Sequence, residues 1–186
     1  PNHNGSVETA LTMIEKMAEA GVDCVKFQMT DPYQLYSDDS FKASYQKRND
    51  KAKSVREMSL SYQLKREAHI ALFQKCKESG VDYVCSAFDL ESLIYLDEHF
   101  EMPYYKIASG EIFSLDMIDY ISLQCKPIIL STGMATYDEV EVALNLLNRN
   151  FPKDITLLHC ISNYPAKYEE VNLRNMLSLK ERFGCK

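Results

Sequence analysis

Two lysines sit inside apolar runs, where a soluble chain rarely leaves a charge. Lys26 lies in Val22-Asp23-Cys24-Val25-Lys26-Phe27-Gln28, and Lys106 in Pro103-Tyr104-Tyr105-Lys106-Ile107-Ala108-Ser109-Gly110-Glu111. Side chains alternate between the faces of a strand. Cys24, Lys26 and Gln28 therefore share one face, and Val25 and Phe27 the other. The helix-packed face of a strand must be apolar, so Val25 and Phe27 take it and Lys26 points the opposite way. An ammonium withdrawn from water is costly unless an anion meets it. That anion can be a substrate phosphate or carboxylate, or a protein carboxylate in a purely structural ion pair. Glu111 could neutralise one of the two lysines. Two such lysines on separate strands call for an anion carrying more than one negative charge.

Hydroxyl groups gather at the same strand ends. Ser86 closes one apolar run, Ser109-Gly110 and Ser131-Thr132-Gly133 close two more, and Ser162 and Tyr164 follow the last. With two lysines, these make a surface suited to phosphate or carboxylate, although each serine taken singly reads as a turn residue or helix cap. His3 lies in a glycine-containing turn. His159 sits in Leu157-Leu158-His159-Cys160, the setting of a satisfied core histidine, and His69 and His99 read as helix-surface residues. No two histidines have close metal-ligand spacing, and no metal site is assigned within this chain.

Positioning these groups requires alternating strands and helices. Strands are expected at Val22 to Gln28, Val81 to Phe88, Tyr104 to Ser109, Pro127 to Thr132 and Ile155 to Cys160. Helices are expected at Ser6 to Ala20, Ser61 to Ser79, Asp89 to His99, Leu115 to Leu123, Thr136 to Arg149 and Asn172 to Phe183. Thr136-x-x-Glu139 is a capping box. Glu19-Ala20-Gly21-Val22-Asp23-Cys24-Val25 is echoed by Glu78-Ser79-Gly80-Val81-Asp82-Tyr83-Val84; each is a helix closing on glycine before a strand. Alternation of this kind predicts one parallel sheet of five strands covered on both faces. The polar, tyrosine-rich stretch from Met29 to Ser61 leaves the carboxyl end of the first strand as a long loop, where such folds place their sites. Neither glycine-rich nucleotide signature is present. The expected fold is α/β, a partial (β/α)8 TIM barrel comprising about strands 2 to 6, since that fold needs roughly 250 residues.

The chain has 186 residues, a formal net charge of −6, 46% hydrophobic and 26% charged residues. This is globular composition, without the basic surplus of a nucleic-acid module. No apolar run is long enough to span a membrane, and no secretory signal is visible. Cys24, Cys76, Cys85, Cys125, Cys160 and Cys185 form no C-x-x-C pair and read as reduced, buried thiols of a cytoplasmic protein. The chain opens on Pro1 rather than Met and stops where a helix ends, so a fragment cut at both ends is expected.

Asn2-His3-Asn4-Gly5, Val25-Lys26-Phe27-Gln28, Tyr105-Lys106-Ile107-Ala108-Ser109-Gly110-Glu111, Pro127-Ile128-Ile129-Leu130-Ser131-Thr132-Gly133-Met134 and Leu157-Leu158-His159-Cys160 occur in that order. Asn163-Tyr164-Pro165 and Tyr168-Glu169-Glu170-Val171-Asn172-Leu173 complete the set. In order and spacing these motifs resemble the sialic acid synthase family, the N-acetylneuraminate synthases with their legionaminate and pseudaminate relatives. The Met29 to Ser61 stretch looks nearer the legionaminate branch.

The resemblance implies a transferase that condenses phosphoenolpyruvate with an N-acylated mannosamine-type sugar to give a nonulosonic acid and phosphate. It implies that Lys26, Ser86, Lys106, Ser109 and Ser131 hold phosphoenolpyruvate, with the two lysines catalytic. Gln28, Asn49 and Tyr164 would face the sugar, with Glu111 nearby. It further implies a divalent metal of the Mn or Mg type whose ligands lie outside this chain, a catalytic glutamate upstream of Asn2, an antifreeze-like domain, and a homodimer when full length. This stretch alone is expected to be inactive. Two other readings of the same lysines stay open. One is a Schiff-base aldolase using Lys26 or Lys106; the other is a non-catalytic barrel that binds a sugar phosphate.

Overall fold

The computed structural model describes residues 1–37, 40–43, 46–47 and 51–186. It divides into two compact units, Pro1–Met102 and Pro103–Lys186. Among the described residues all strand pairing is parallel, but it falls into a two-stranded and a three-stranded sheet, rather than the single five-stranded sheet expected from alternation.

The first unit begins with α1 (Val7–Glu19), capped by the Ser6 hydroxyl, which accepts from Thr9 N. Then come β1 (Cys24–Met29), α2 (Pro32–Leu35), α3 (Val55–Tyr62), α4 (Ala68–Glu78), β2 (Asp82–Ala87) and α5 (Leu90–His99). The echoed heptapeptides form the same joint twice. Gly21 and Gly80 adopt φ of 80° and 69°, open to glycine without strain. Val22 N then donates back to Met17 O, and Val81 N to Cys76 O. The two strands that follow lie side by side, Cys24 against Asp82 through Met29 against Ala87.

Alternation in β1 holds residue by residue. Val25, Phe27 and Met29 are buried, whereas Lys26 and Gln28 are exposed and Cys24 is half-buried. One face of β1 is thus uncovered, contrary to the expected cover on both. The buried face carries an aromatic cluster: Phe27 stacks on Tyr83 with ring centroids 5.7 Å apart, and Phe73 and Phe100 pack around Tyr83. His69 belongs to this cluster, not to the helix surface. It is fully buried, because its spacing places it on one stripe with Leu72 and Cys76. His99 is exposed as expected and stacks on Tyr95 at 4.1 Å.

Two further expectations fail here. The helix expected over Ser61 to Ser79 is broken, since Gln63 is extended at φ −81°, ψ 143° and the helix resumes at Ala68. The long loop contains α2 and α3. Each starts on a side-chain cap, Asp31 accepting from Tyr33 N and Ser54 from Glu57 N, hidden from a periodicity reading by polar composition.

The second unit runs β3 (Tyr105–Ile107), a 3-10 turn at Ser109–Glu111, α6 (Leu115–Ser122), β4 (Ile128–Ser131), α7 (Tyr137–Leu147), β5 (Ile155–Leu158), a second 3-10 turn at Tyr168–Glu170, and α8 (Asn175–Phe183). β4 is central, with Lys106 beside Ile129 and Ser131 beside Leu158. Ile128 and Leu130 are buried together with Tyr105, Ile107 and Ile155, and α6 packs on α7. The capping box is closed: Thr136 accepts from Glu139 N, while Glu139 accepts from Thr136 N.

The thiols are all free but not all buried. Cys76 and Cys85 are buried, Cys24, Cys160 and Cys185 are half-buried, and Cys125 is exposed, because it lies in the turn after α6 rather than within a strand or helix.

Candidate functional site

In the first unit, Lys26, Gln28 and Ser86 share one face of the β1–β2 pair. Gln28 lies beside Ser86 in the register and Lys26 beside Val84. Ser86 is buried. Among the described residues Lys26 has no ion-pair or hydrogen-bond partner. Lost hydration nevertheless pulls its pKa below that of a free lysine. The structural ion pair considered from sequence is therefore not formed within this unit. Neither buried thiol competes as a nucleophile, since burial pushes Cys76 up to about 11 and Cys85 up to about 12.

The loops beyond these strands are tied by one carboxylate. Asp89 caps α5 through Ser92 N at 2.7 Å, and its other oxygen accepts Asp31 N at 2.7 Å, joining the segment after β1 to the segment after β2. Next to them the Asn2–Gly5 turn is fixed by Gly5 N donating to His3 Nδ1 at 3.1 Å. The turn needs Gly5 at φ 77°, where a Cβ would lie 2.9 Å from Ser61 O. The proton of neutral His3 is thereby assigned to Nε2, and burial lowers the pKa of the ring.

In the second unit, Lys106 is half-buried and donates 2.7 Å bonds to Ser131 Oγ and to Ile107 O. Ser109 Oγ accepts Gly133 N at 3.0 Å. A Cβ added at Gly133 would sit 2.9 Å from Ser109 Oγ and 2.5 Å from Ser162 Oγ, so both hydroxyls would have to move to admit it. Ser109, Ser162 and the Gly133 amide thus converge at the ends of β3, β4 and β5. Glu111 is buried and accepts from Ser114 Oγ at 2.5 Å. Tyr164 is exposed after β5. Asn49 lies outside the described residues.

His159 is a satisfied structural residue, as its sequence setting indicated. Its Nε2 lies 2.6 Å from Val171 O and its Nδ1 3.1 Å from Asn175 Nδ2, and Asn175 Oδ1 accepts from Tyr137. Among the described residues no group of three or more His, Cys, Asp or Glu can hold a metal ion. Nor, among the described residues, is any helix long and apolar enough to cross a membrane.

Sequence reasoning missed Thr30 and Gln63. Gln63 Nε2 donates to Thr30 O, yet Gln63 Oε1 and Thr30 Oγ1 are buried without a hydrogen-bond partner. The available signal was the position of Thr30 directly after a strand whose exposed face carries Lys26 and Gln28.

Comparison with known proteins places this arrangement. The chain is 42% identical over 185 residues to N,N'-diacetyllegionaminic acid synthase of Campylobacter jejuni, covering 98% of this chain and 55% of that protein. It is 36% identical over 200 residues to pseudaminic acid synthase of Helicobacter pylori, covering 100% and 54% respectively. The chain therefore spans about half the length of the curated relatives it matches. The crystal structure of the N-acetylneuraminic acid (sialic acid) synthetase from Leptospira borgpetersenii superposes with a TM-score of 0.82 at 24% identity, over 99% of this chain and 59% of that one, a likeness of fold. The model of the NeuB family matches residues 13–186. With that match and these identities, the chain belongs to the NeuB family.

Proposed function

We propose that the protein condenses phosphoenolpyruvate with an N-acylated mannosamine-type sugar, giving a nonulosonic acid and phosphate. The observation that carries this reading is the polar array of the second unit. Lys106 is held on Ser131, and Ser109 on the Gly133 amide, at the ends of parallel strands. Such an array offers one cation and several donors to a small, multiply charged anion. Lys26, with Ser86 and Gln28 on its strand face, supplies the second cation, and its want of a protein partner suits a ligand-borne anion. Asn49 and Tyr164 are assigned to the sugar, with Glu111 near it. The relatives named as legionaminic and pseudaminic acid synthases support the substrate pair.

The register supports a barrel portion. The echoed joints are 59 residues apart in sequence, whereas their strands pair at an offset of 58. A slip of one residue between neighbouring strands matches the shear of eight over eight strands in a (β/α)8 barrel. We assign the chain to such a barrel, in a cytoplasmic enzyme that is a homodimer when full length.

The chemistry follows from charge. C3 of phosphoenolpyruvate attacks the aldehyde carbon of the open-chain sugar. The cation left at C2 takes up water, whose proton goes to the new alkoxide, and the adduct expels phosphate by C2–O cleavage, the hydroxyl proton leaving with it, to give a 2-keto acid. Lys26 and Lys106 hold the phosphate and carboxylate charges through these steps rather than attacking carbon. The divalent metal implied by the family resemblance would be bound by other residues than these. No step here runs through it.

The test is the fate of the bridging oxygen in the full-length enzyme. Phosphoenolpyruvate labelled with 18O at that position must deliver the label to phosphate. Label retained in the keto acid overturns the reading. A covalent adduct trapped by borohydride with pyruvate would transfer the lysines to Schiff-base chemistry.

A further inference from the structure

The end of β5 carries a chain of side-chain hydrogen bonds whose protons all follow from one atom. Val171 O can only accept, and it lies 2.6 Å from His159 Nε2, so that nitrogen carries the proton. Nδ1 of the neutral ring is then a lone pair in need of a donor, and Asn175 Nδ2 stands 3.1 Å from it. The Asn175 amide is thereby oriented, with Oδ1 turned to Tyr137, whose hydroxyl donates. Tyr137 opens α7 and Asn175 opens α8. One imidazole thus links the end of β5 to the first turns of two helices and to the Val171 carbonyl.

What this chain of bonds holds is a loop. Val171 lies 12 residues beyond His159. Every residue from Asn163 to Glu170 is exposed, so burial does not shape that stretch. The near end of the loop is set by packing, since Cys160 O and Ser162 Oγ lie 3.2 Å and 2.5 Å from where a Cβ on Gly133 would stand. The far end is set by the imidazole. A surface loop of this length with its ends drawn together is the kind that frequently carries function, and this one carries Tyr164, assigned above to the sugar. We infer that His159 is a positioning residue: its Nε2–H closes the loop between Cys160 and Val171 and so fixes where Tyr164 stands. It acts through the loop, not on the substrate. Its consequence for catalysis rests on the reaction proposed above; the closure itself does not.

Two amide side chains separate this tie from the mere presence of a polar group. In His159→Gln the terminal N–H can reach Val171 O, whereas the shorter side chain of His159→Asn can face Asn175 but not Val171. In the full-length enzyme, His159→Asn is expected to raise KM for the acceptor sugar about 10-fold, the worth of about one hydrogen bond, with kcat and KM for phosphoenolpyruvate within about 2-fold. His159→Gln should hold all three within about 3-fold of the wild type. A residue that served stability alone would lower the active fraction, and so kcat, without this split. Limited trypsin digestion reads the closure with no reaction at all. Cleavage after the exposed Lys167 should be about 10-fold faster in His159→Asn than in the wild type and nearly unchanged in His159→Gln. Nitrogen-15 NMR on the wild type needs no variant to fold, and there the neutral ring should carry its proton on Nε2. Equal cleavage of the two variants, or a neutral ring protonated on Nδ1, overturns the closure. An acceptor KM that stays put in His159→Asn while Lys167 becomes labile overturns the positioning of Tyr164. A wild type that releases no phosphate with any acceptor overturns the parent reaction and with it the loop's part in catalysis, whereas trypsin and NMR still decide the closure.

Discussion

The two units hold their polar groups in opposite ways. In the second unit the groups satisfy one another. Lys106 donates to Ser131, Ser109 holds the Gly133 amide, Ser114 donates to Glu111, and His159 is pinned between Val171 and Asn175. In the first unit they are left open. Lys26 has no partner among the described residues, and the buried side-chain atoms found without a hydrogen bond, Thr30 Oγ1, Gln63 Oε1 and His69 Nε2, all lie there. A self-satisfied array is preorganised and costs nothing to assemble when the ligand arrives. Of the open groups Lys26 is exposed and so within reach of a ligand, whereas the three buried atoms have almost no accessible surface.

Replacing the two lysines puts this contrast to its hardest trial. Lys106→Met in the full-length enzyme should lower kcat/KM for phosphoenolpyruvate about 10²–10³-fold, the effect of deleting one preorganised donor. It should also lower the thermal midpoint, because Ser131 Oγ loses its donor. Lys26→Met should lower kcat/KM as well, yet leave the midpoint nearly unchanged, since an exposed cation with no partner among the described residues is replaced by an apolar chain of similar length. Steady-state kinetics with calorimetry on both variants decides it. A larger drop in midpoint for Lys26→Met would erase the distinction between the units.

Acid should find the open unit first. His69 is fully buried, its Nδ1 lies 2.7 Å from Tyr83 Oη, and its pKa falls to about 4 from 6.5, chiefly because burial disfavours the charged ring. Between those values the unfolded chain binds a proton that the folded one refuses, so stability rises with pH through the window from about 4 to 6.5 and is lost on acidification. The loss by pH 4 is on the order of 3 kcal/mol. The chain has no tryptophan and 12 tyrosines, so near-ultraviolet dichroism during urea unfolding reports the transition. His69→Gln, which can keep the bond to Tyr83, should flatten the slope. An unchanged slope would place the acid sensitivity elsewhere.

Gly133→Ala tests how tightly the closed array is built. The added methyl meets hydroxyl oxygens of Ser109 and Ser162, which can rotate away, and the carbonyl of Cys160 at 3.2 Å, which cannot readily move. The fold should survive with little change in midpoint. KM for phosphoenolpyruvate should rise roughly 10-fold as Ser109 leaves the Gly133 amide, the worth of about one hydrogen bond to a charged ligand. An unaltered KM would remove Ser109 and Gly133 from the proposed site.

How far the sequence discloses these features depends on whether the signal is local. The echoed Glu-x-Gly-Val-Asp segments, the β1 alternation that sets Lys26 apart from Phe27, and the Thr136-x-x-Glu139 box are each decided within a few residues. All stand in the structure as the sequence implies. His69 was misread because one histidine on a helix carries no mark of which stripe will be buried. Its partners Phe27 and Tyr83 lie 42 and 14 residues away. Thr30 and Gln63 were invisible for the same reason, being brought together across 33 residues by a break in a helix that periodicity alone would continue. The division of the strands into two sheets has no counterpart in the pattern of apolar runs.

The finest version of the comparison lies in two helix starts of like spelling. Thr136-x-x-Glu139 opens α7 and Ser54-x-x-Glu57 opens α3. In α7 the box is reciprocal, with Glu139 Oε2 taking Thr136 N at 2.6 Å and Thr136 Oγ1 at 2.9 Å. In α3, Ser54 Oγ takes Glu57 N at 3.1 Å, but Glu57 reaches past the cap to Lys53 N at 2.6 Å. The first arrangement couples both ends of one turn; the second divides them between the turn and the preceding segment. Thr136→Ala breaks a closed pair and should cost on the order of 1 kcal/mol, while Ser54→Ala, which leaves the Glu57 bond intact, should cost about half that. Native-state hydrogen exchange at the first-turn amides of each helix reads the two losses separately. Equal losses would mean that reciprocity adds nothing to the cap, and that the closed and open habits of the two units do not extend to their helix ends.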